Sequence, residues 1–203
     1  MAETTPTRPD GFSYHTGFIS EAEEHNILQD VDALNFSEVR MHGVVAKRGV
    51  LHFGWIYGYQ TWTLLPGPPL PEFLQPLRER VASSIRIEAA SFEEVLLTHY
   101  PPGSGIGWHR DAPMFGPVVI GVSLLGSCRL RFCRRVGSRR DTWSATLEPR
   151  SVYVLSGSAR FQWQHSIPAT KESRYSITFR TLRNGSPSPP DRLSQAVAVT
   201  ERP

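Results

Sequence analysis

The stretch Arg174-Tyr-Ser-Ile-Thr-Phe-Arg180 alternates polar and apolar side chains without a break. On an extended chain, successive side chains point to opposite faces. Arg174, Ser176, Thr178 and Arg180 therefore share one face, and Tyr175, Ile177 and Phe179 take the other. Such a pattern demands a strand with one apolar and one polar side. Two arginines on a face otherwise made of small hydroxyls need an anionic partner. A guanidinium grips a carboxylate bidentately, and a dicarboxylate engages both arginines.

A second constraint lies upstream, in Thr98-His-Tyr-Pro-Pro-Gly-Ser-Gly-Ile-Gly-Trp-His-Arg-Asp111. His109 and Asp111 stand two apart, so on an extended chain an imidazole and a carboxylate converge on one point. Two ligands hold a metal poorly, and a third is expected from elsewhere. His165, in Phe-Gln-Trp-Gln-His-Ser-Ile-Pro, is the candidate. Two histidines and one carboxylate leave coordination positions open, as suits non-haem Fe(II) that binds a cosubstrate and O2 together.

His109-x-Asp111, then His165, then Arg174-x-Ser-x-Thr-x-Arg180 resembles the AlkB family of Fe(II)- and 2-oxoglutarate-dependent dioxygenases. The resemblance spans roughly Phe12 to Arg183 and is strongest from Val95 to Leu182. It implies that His109, Asp111 and His165 form the catalytic metal site. It further implies that Arg174 pairs with the distal carboxylate of 2-oxoglutarate and that Arg180 lies near the metal-bound one. Tyr100 is expected to hydrogen-bond the cosubstrate, with Thr98, where relatives often carry Asn, and Ser176 beside it. The implied reaction is oxidative dealkylation of N-alkylated bases in DNA or RNA, releasing succinate, CO2 and an aldehyde. A base must leave its stack to be reached, which favours single strands or flipped nucleotides. The region 36–66 is expected to be a nucleotide-recognition lid. His52, Phe53, Trp55, Tyr57 and Tyr59 are the candidates for stacking on the base, core packing being the competing role. Arg48, Arg139 and Arg140 are candidates for binding the nucleic-acid substrate. One departure stands out: Ala112-Pro113 occupies the place where several family members carry an acidic residue that reads the base edge. That puts the preferred lesion, though not the iron chemistry, in question.

The rest of the chain reads as scaffold. At 203 residues, with 39% hydrophobic and 10% aromatic residues, one folded domain over residues 12–183 is expected. Residues 1–11 read as a loose leader and not a secretory signal, because they lack an apolar core. The proline- and polar-rich residues 184–203 read as a disordered tail. No apolar run reaches the ~18 residues of a membrane span. Cys128 and Cys133 form neither a disulfide framework nor a zinc set, so a cytoplasmic setting is expected, and a monomer. Ser20 and Glu23 stand in capping-box spacing before an amphipathic run to Leu34. Pro71–Ser84 reads as a second helix, with Pro76 in its first turn. Lys47-Arg48-Gly49 reads as a basic turn, Leu64–Pro71 as a rigid connector, and Phe161–His165 as a strand. Six arginines crowd between Arg129 and Arg140, interleaved with Leu130 and Phe132. They read as a strand whose basic edge is either a solvated face or a phosphate track.

Many short strands after two early helices predict an α+β fold, a double-stranded β-helix (jelly roll) flanked by N-terminal helices. Two further readings stay open. One is the same chemistry on a protein side chain or a small molecule. The other is a binding module whose His and Asp are incidental, which would leave Arg174 and Arg180 a coincidence.

Overall fold

A computed structural model describes residues 7–41, 44–58 and 63–183, with side chains undescribed at 39–41, 44 and 45. Tyr59 and the expected tail therefore lie outside the described residues, as does most of the expected leader.

Ser20 caps the first helix, α1 (Glu21–Asp32), as the spacing predicted: its hydroxyl accepts from the Glu23 N–H while Glu23 reaches back to the Ser20 N–H. The second helix, α2 (Gln75–Ser84), follows a 3-10 turn over Glu72–Leu74, and Pro76 falls within its first turn. Thirteen strands are described: β1 (Phe12–His15), β2 (Ser37–Met41), β3 (Val44–Phe53), β4 (Trp55–Tyr57), β5 (Leu64–Pro66), β6 (Phe92–Tyr100), β7 (Ile106–His109), β8 (Phe115–Leu124), β9 (Cys128–Val136), β10 (Arg139–Leu147), β11 (Val152–Leu155), β12 (Gln164–Ile167) and β13 (Arg174–Leu182).

The strands form a seven-stranded sheet, ordered β1-β11-β8-β13-β6-β3-β2, a four-stranded sheet, ordered β10-β9-β12-β7, and the hairpin β4-β5. Pairing is antiparallel throughout. Helices α1 and α2 cover one face of the larger sheet, with Ile27, Val31, Leu77 and Val81 packed on Val95, Leu97, Ile120, Ile177 and Phe179. The other face meets the smaller sheet through Tyr100, Val119, Leu130, Phe132, Tyr153 and Trp163. Period-2 alternation thus serves both layers: β13 sends Ile177 and Phe179 to the helices and its polar residues between the sheets.

Three local expectations are corrected. Lys47-Arg48-Gly49 is not a turn but part of β3, whose ladder to β6 begins at Gly49. The connector contains β5, paired with β4. Phe161 ends a short helix, α3 (Gly157–Phe161), and the strand starts only at Gln164. Gly157 opens that helix at φ +47°, a left-handed conformation that costs glycine little.

Gly121 on β8 stands directly opposite Tyr153 on β11, and the ring lies across the space a Cβ would need. Gly121→Ala is expected to cost about 1–3 kcal/mol of stability by overpacking, measured by urea unfolding. A cost near zero would mean that the ring is free to move aside.

Candidate active site

Between the two sheets lies a cavity of about 1090 Å³. Its walls include Tyr100, His109, Asp111, His165, Ser176 and Arg180. The larger sheet contributes the polar face of β13 and the same face of β6. The smaller sheet contributes β7 and β12, where His109 and His165 are directly opposite partners. Register alone therefore brings together two histidines 56 positions apart in numbering. Their ring centroids are 4.2 Å apart, and His165 Nε2 lies 3.7 Å from Asp111 Oδ2.

Each of the three side chains is held in a form that can donate an electron pair. His109 Nδ1 lies 2.9 Å from the Gly107 carbonyl. A carbonyl only accepts, so Nδ1 carries the proton and Nε2 keeps its lone pair. Burial, reinforced by His109, lowers His165 to about 3 and keeps its imidazole neutral. Burial alone would raise the Asp111 carboxyl, but Arg180, then His165 and His109, hold it well below its ordinary value. Among the described residues no group of three or more His, Cys, Asp or Glu side chains stands close enough, as placed, to hold a metal ion. Donors at right angles and about 2.1 Å from one ion stand about 3 Å apart. The 3.7 Å gap is somewhat wider than that.

The guanidinium of Arg180 explains how Asp111 is held. Its Nε and Nη2 lie 2.9 and 2.8 Å from Asp111 Oδ1, which leaves Oδ2 on the His165 side. Its Nη1 donates to both oxygens of Glu94, at 2.9 and 3.2 Å. Glu94 sits opposite Arg180 across the β6–β13 ladder and is fully buried. His52 Nδ1 lies 3.1 Å from Glu94 Oε1. Where the sequence expects Arg180 beside a carboxylate of the cosubstrate, the structure engages it with two carboxylates of the protein.

Arg174 is the opposite case. It is completely buried, yet only Nη2 has a partner, the Ser123 hydroxyl at 3.1 Å. Nε and Nη1 have none among the described residues. Its guanidinium lies 4.9 Å from the centre of the Tyr100 ring. It stands behind Tyr100, with Tyr100, Thr98 and Ser176 in the cavity wall beside it.

Of the expected lid residues, Arg48 and Tyr57 line the cavity. Phe53, Trp55 and His52 are corrections. On β3, Phe53 pairs with Val95, whose side chain faces the helices, so Phe53 is buried in the helix-side core. Gly54, at φ +79°, then turns the chain, and Trp55 is buried against Tyr57, Phe115 and Leu182. His52 points inward but is tied to Glu94. Arg139 is exposed and paired with Asp141 at 2.8 Å, while Arg140 lies 5.5 Å from the centre of the Trp108 ring.

Two contributors were not foreseen. One is Glu94. The other is Arg160 on α3, which is buried and donates to the carbonyls of Asp111, Ala112, Phe115 and Gly116 at 2.9–3.3 Å. It clamps the turn that carries Asp111. Both act on residues more than forty positions away, so no local pattern announces them.

Because Glu94 balances a buried guanidinium, Glu94→Ala is expected to cost about 3–5 kcal/mol, read by guanidinium chloride unfolding. A cost below about 1 kcal/mol would show that Arg180 needs no second carboxylate.

The profile of the 2OG-Fe(II) oxygenase superfamily matches residues 11–180. Among curated proteins, the chain is 29% identical over 205 residues to an Arabidopsis thaliana protein called Alkylated DNA repair protein ALKBH8 homolog, covering 82% of this chain and 57% of that one. It is 29% identical over 154 residues to Probable RNA/DNA demethylase ALKBH6 of Danio rerio, covering 73% of this chain and 60% of that one. The chain thus spans well under two thirds of either relative. Among solved structures, OsALKBH1 superimposes with a TM-score of 0.67 at 14% identity, over 86% of this chain and 98% of that one. A Trichoplax adhaerens prolyl hydroxylase does so at 0.59 and 16%, over 85% and 84%. Both share the jelly-roll core. The chain belongs to the 2OG-Fe(II) oxygenase superfamily, with AlkB-type relatives, and is a dioxygenase dependent on Fe(II) and 2-oxoglutarate.

Proposed function

We propose that this enzyme oxidatively dealkylates N-alkylated bases in DNA or RNA. The observation that carries the reading is Arg174. A fully buried guanidinium without a carboxylate is costly, and it lies just behind the wall of the cavity that holds two neutral histidines and an ionised aspartate. A diacid with one end at the metal and the other at Arg174 satisfies both needs. The substrate class rests on the relatives, whose names include an RNA/DNA demethylase and, in Arabidopsis thaliana, RNA demethylase ALKBH9B. The cavity is also larger than the cosubstrate alone would need.

In this reading His109 Nε2, His165 and Asp111 Oδ2 hold the iron. The donor set fits: two neutral imidazoles and one carboxylate, with positions left open. Bound iron, with O2 and 2-oxoglutarate, supplies the oxidant that puts one oxygen atom into a C–H bond of the N-alkyl group, the other going to succinate. The C–N bond then breaks as the hydroxylated carbon leaves as an aldehyde, and the hydroxyl proton passes to the nitrogen. Arg180 fixes Asp111 so that Oδ2 faces the metal, and Arg160 fixes the turn behind it. Arg174 orients the cosubstrate, with Tyr100, Thr98 and Ser176 shaping its berth. Arg48 and Tyr57 border the space left for the base.

His109→Ala and Asp111→Ala are expected to abolish succinate release in the presence of iron while the fold persists. Arg174→Ala is expected to raise the KM for 2-oxoglutarate about 30-fold or more, because a buried charge loses its partner. The direct test is incubation with iron and 2-oxoglutarate against N-methylated single-stranded DNA and RNA, read by mass. Loss of the methyl group supports the reading. Full succinate release by the Asp111 variant would overturn the site. Brisk wild-type turnover with every oligonucleotide untouched would overturn the substrate.

A further inference from the structure

The smaller sheet has an outer face that the site described above leaves unused. On β9, Arg129, Arg131 and Arg135 share one side. Arg140 stands directly opposite Arg135 on β10 and joins them. On β12, Ser166 lies opposite Arg131. On β7, Trp108 points the other way from His109 and so falls on the same outer side. The indole is 37% exposed, the most open aromatic of the described cavity wall after Phe161.

Three of the four guanidiniums, those of Arg129, Arg131 and Arg140, are held in place without being neutralised. Arg131 lies 5.0 Å and Arg140 5.5 Å from the centre of the Trp108 ring. Arg131 also donates to Ser166 at 3.2 Å, and Arg129 donates to Ser144 at 2.9 and 3.1 Å. The nearby acid, Asp141, is taken by Arg134 and Arg139. Among the described residues Arg129, Arg131, Arg135 and Arg140 have no carboxylate partner. A merely solvated basic edge would not need its arginines stacked on an exposed indole. A guanidinium held by its flat face keeps its N–H edge for an anion.

Trp108 also lines the cavity. A chain leaving the cavity beside His109 therefore passes directly onto this face. The repeating anion that fits a row of cations beginning at an active-site mouth is a polynucleotide backbone. We infer that the outer face of the smaller sheet is a track for the phosphates of a single strand, with Trp108 as its first station outside the cavity. This rests on the nucleic-acid reading of the site and adds the path the strand takes.

The test is binding of unmodified single-stranded DNA and RNA twelve-mers, by fluorescence anisotropy across a salt series. It compares the wild type with Arg131→Ala/Arg140→Ala, with Trp108→Ala, and with Arg86→Gln, which removes an exposed cation past α2. The double variant is expected to flatten the salt slope by about 1.4, about 0.7 for each lost phosphate contact. Trp108→Ala is expected to weaken binding roughly five- to a hundredfold. Arg86→Gln should change neither. Thermal unfolding within a few degrees of wild type shows that the variants fold. Should the wild type bind while all variants bind alike, the track is wrong and the substrate reading stands. No binding of either twelve-mer by the wild type would sink both. Equal displacement of the oligonucleotide by polyglutamate would make the face a general anion surface and overturn the assignment to nucleic acid.

Discussion

The structure of this site depends on one buried guanidinium shared by two carboxylates. Arg180 is clamped between Asp111 and Glu94. Each of these charges would be expensive to bury alone, and together they satisfy most of one another's hydrogen-bonding capacity. The arrangement is directional. Arg180 takes Oδ1 of Asp111 from one side and so decides which oxygen remains for the space beside His165. β13 is fit for this task because it pairs with β6 on one edge and β8 on the other, deep within the larger sheet. The backbone under Arg180 is fixed on both sides, and its side chain inherits that rigidity.

Six residues earlier on the same face of the same strand, the logic reverses. Arg174 is as buried as any described residue, but among the described residues it meets one hydroxyl and no acid. Desolvating a cation without a counter-charge is a standing cost to the folded state. The two arginines thus divide the work. One is paired internally and holds Asp111 in place. The other is left incomplete, and in the proposed reading a diacid completes it. A protein selecting only for stability would pair both or bury neither.

How much of this could be read from the sequence depended on whether the information was local. The alternation over 174–180 is a property of adjacent residues, and β13 keeps it; the two-residue spacing of His109 and Asp111 is equally local, and both side chains line one cavity. The jelly roll followed from strand count and turn spacing. What escaped reading was set by register. Phe53 and Trp55 have the composition of a stacking platform, but whether an aromatic faces the cavity or the helices turns on a one-residue step. Gly49 aligned with His99 puts Arg48 and His52 inward and Phe53 outward. Glu94 lies in Phe-Glu-Glu-Val, where either acid would look like surface. Only the ladder to β13 reveals that it meets Arg180. α3 escapes a sequence reading because five residues are too few to display a helical period, and only its last residue, Phe161, falls in the expected strand 161–165.

With Phe53 and Trp55 committed to the core, the border of the cavity falls to a sparse set: Arg48 and Tyr57 from β3 and β4, Trp108 from β7, and Phe161 from α3. These come from four separate elements, and with exposed Arg110 beside them the border carries two cations. Ala112 and Pro113 bring no acid to the same rim. Among the described residues this lining offers stacking surface and positive charge, and no carboxylate besides Asp111. In the proposed reading, discrimination would rest on shape and on the phosphates around the base more than on a side-chain acid at positions 112 and 113. Arg160 sharpens the point. By occupying the carbonyls of Asp111, Ala112, Phe115 and Gly116, it fixes the segment that carries and follows Asp111. That segment is thereby committed to holding the Asp111 carboxylate beside His165, and Ala112 and Pro113 within it add no side-chain acid.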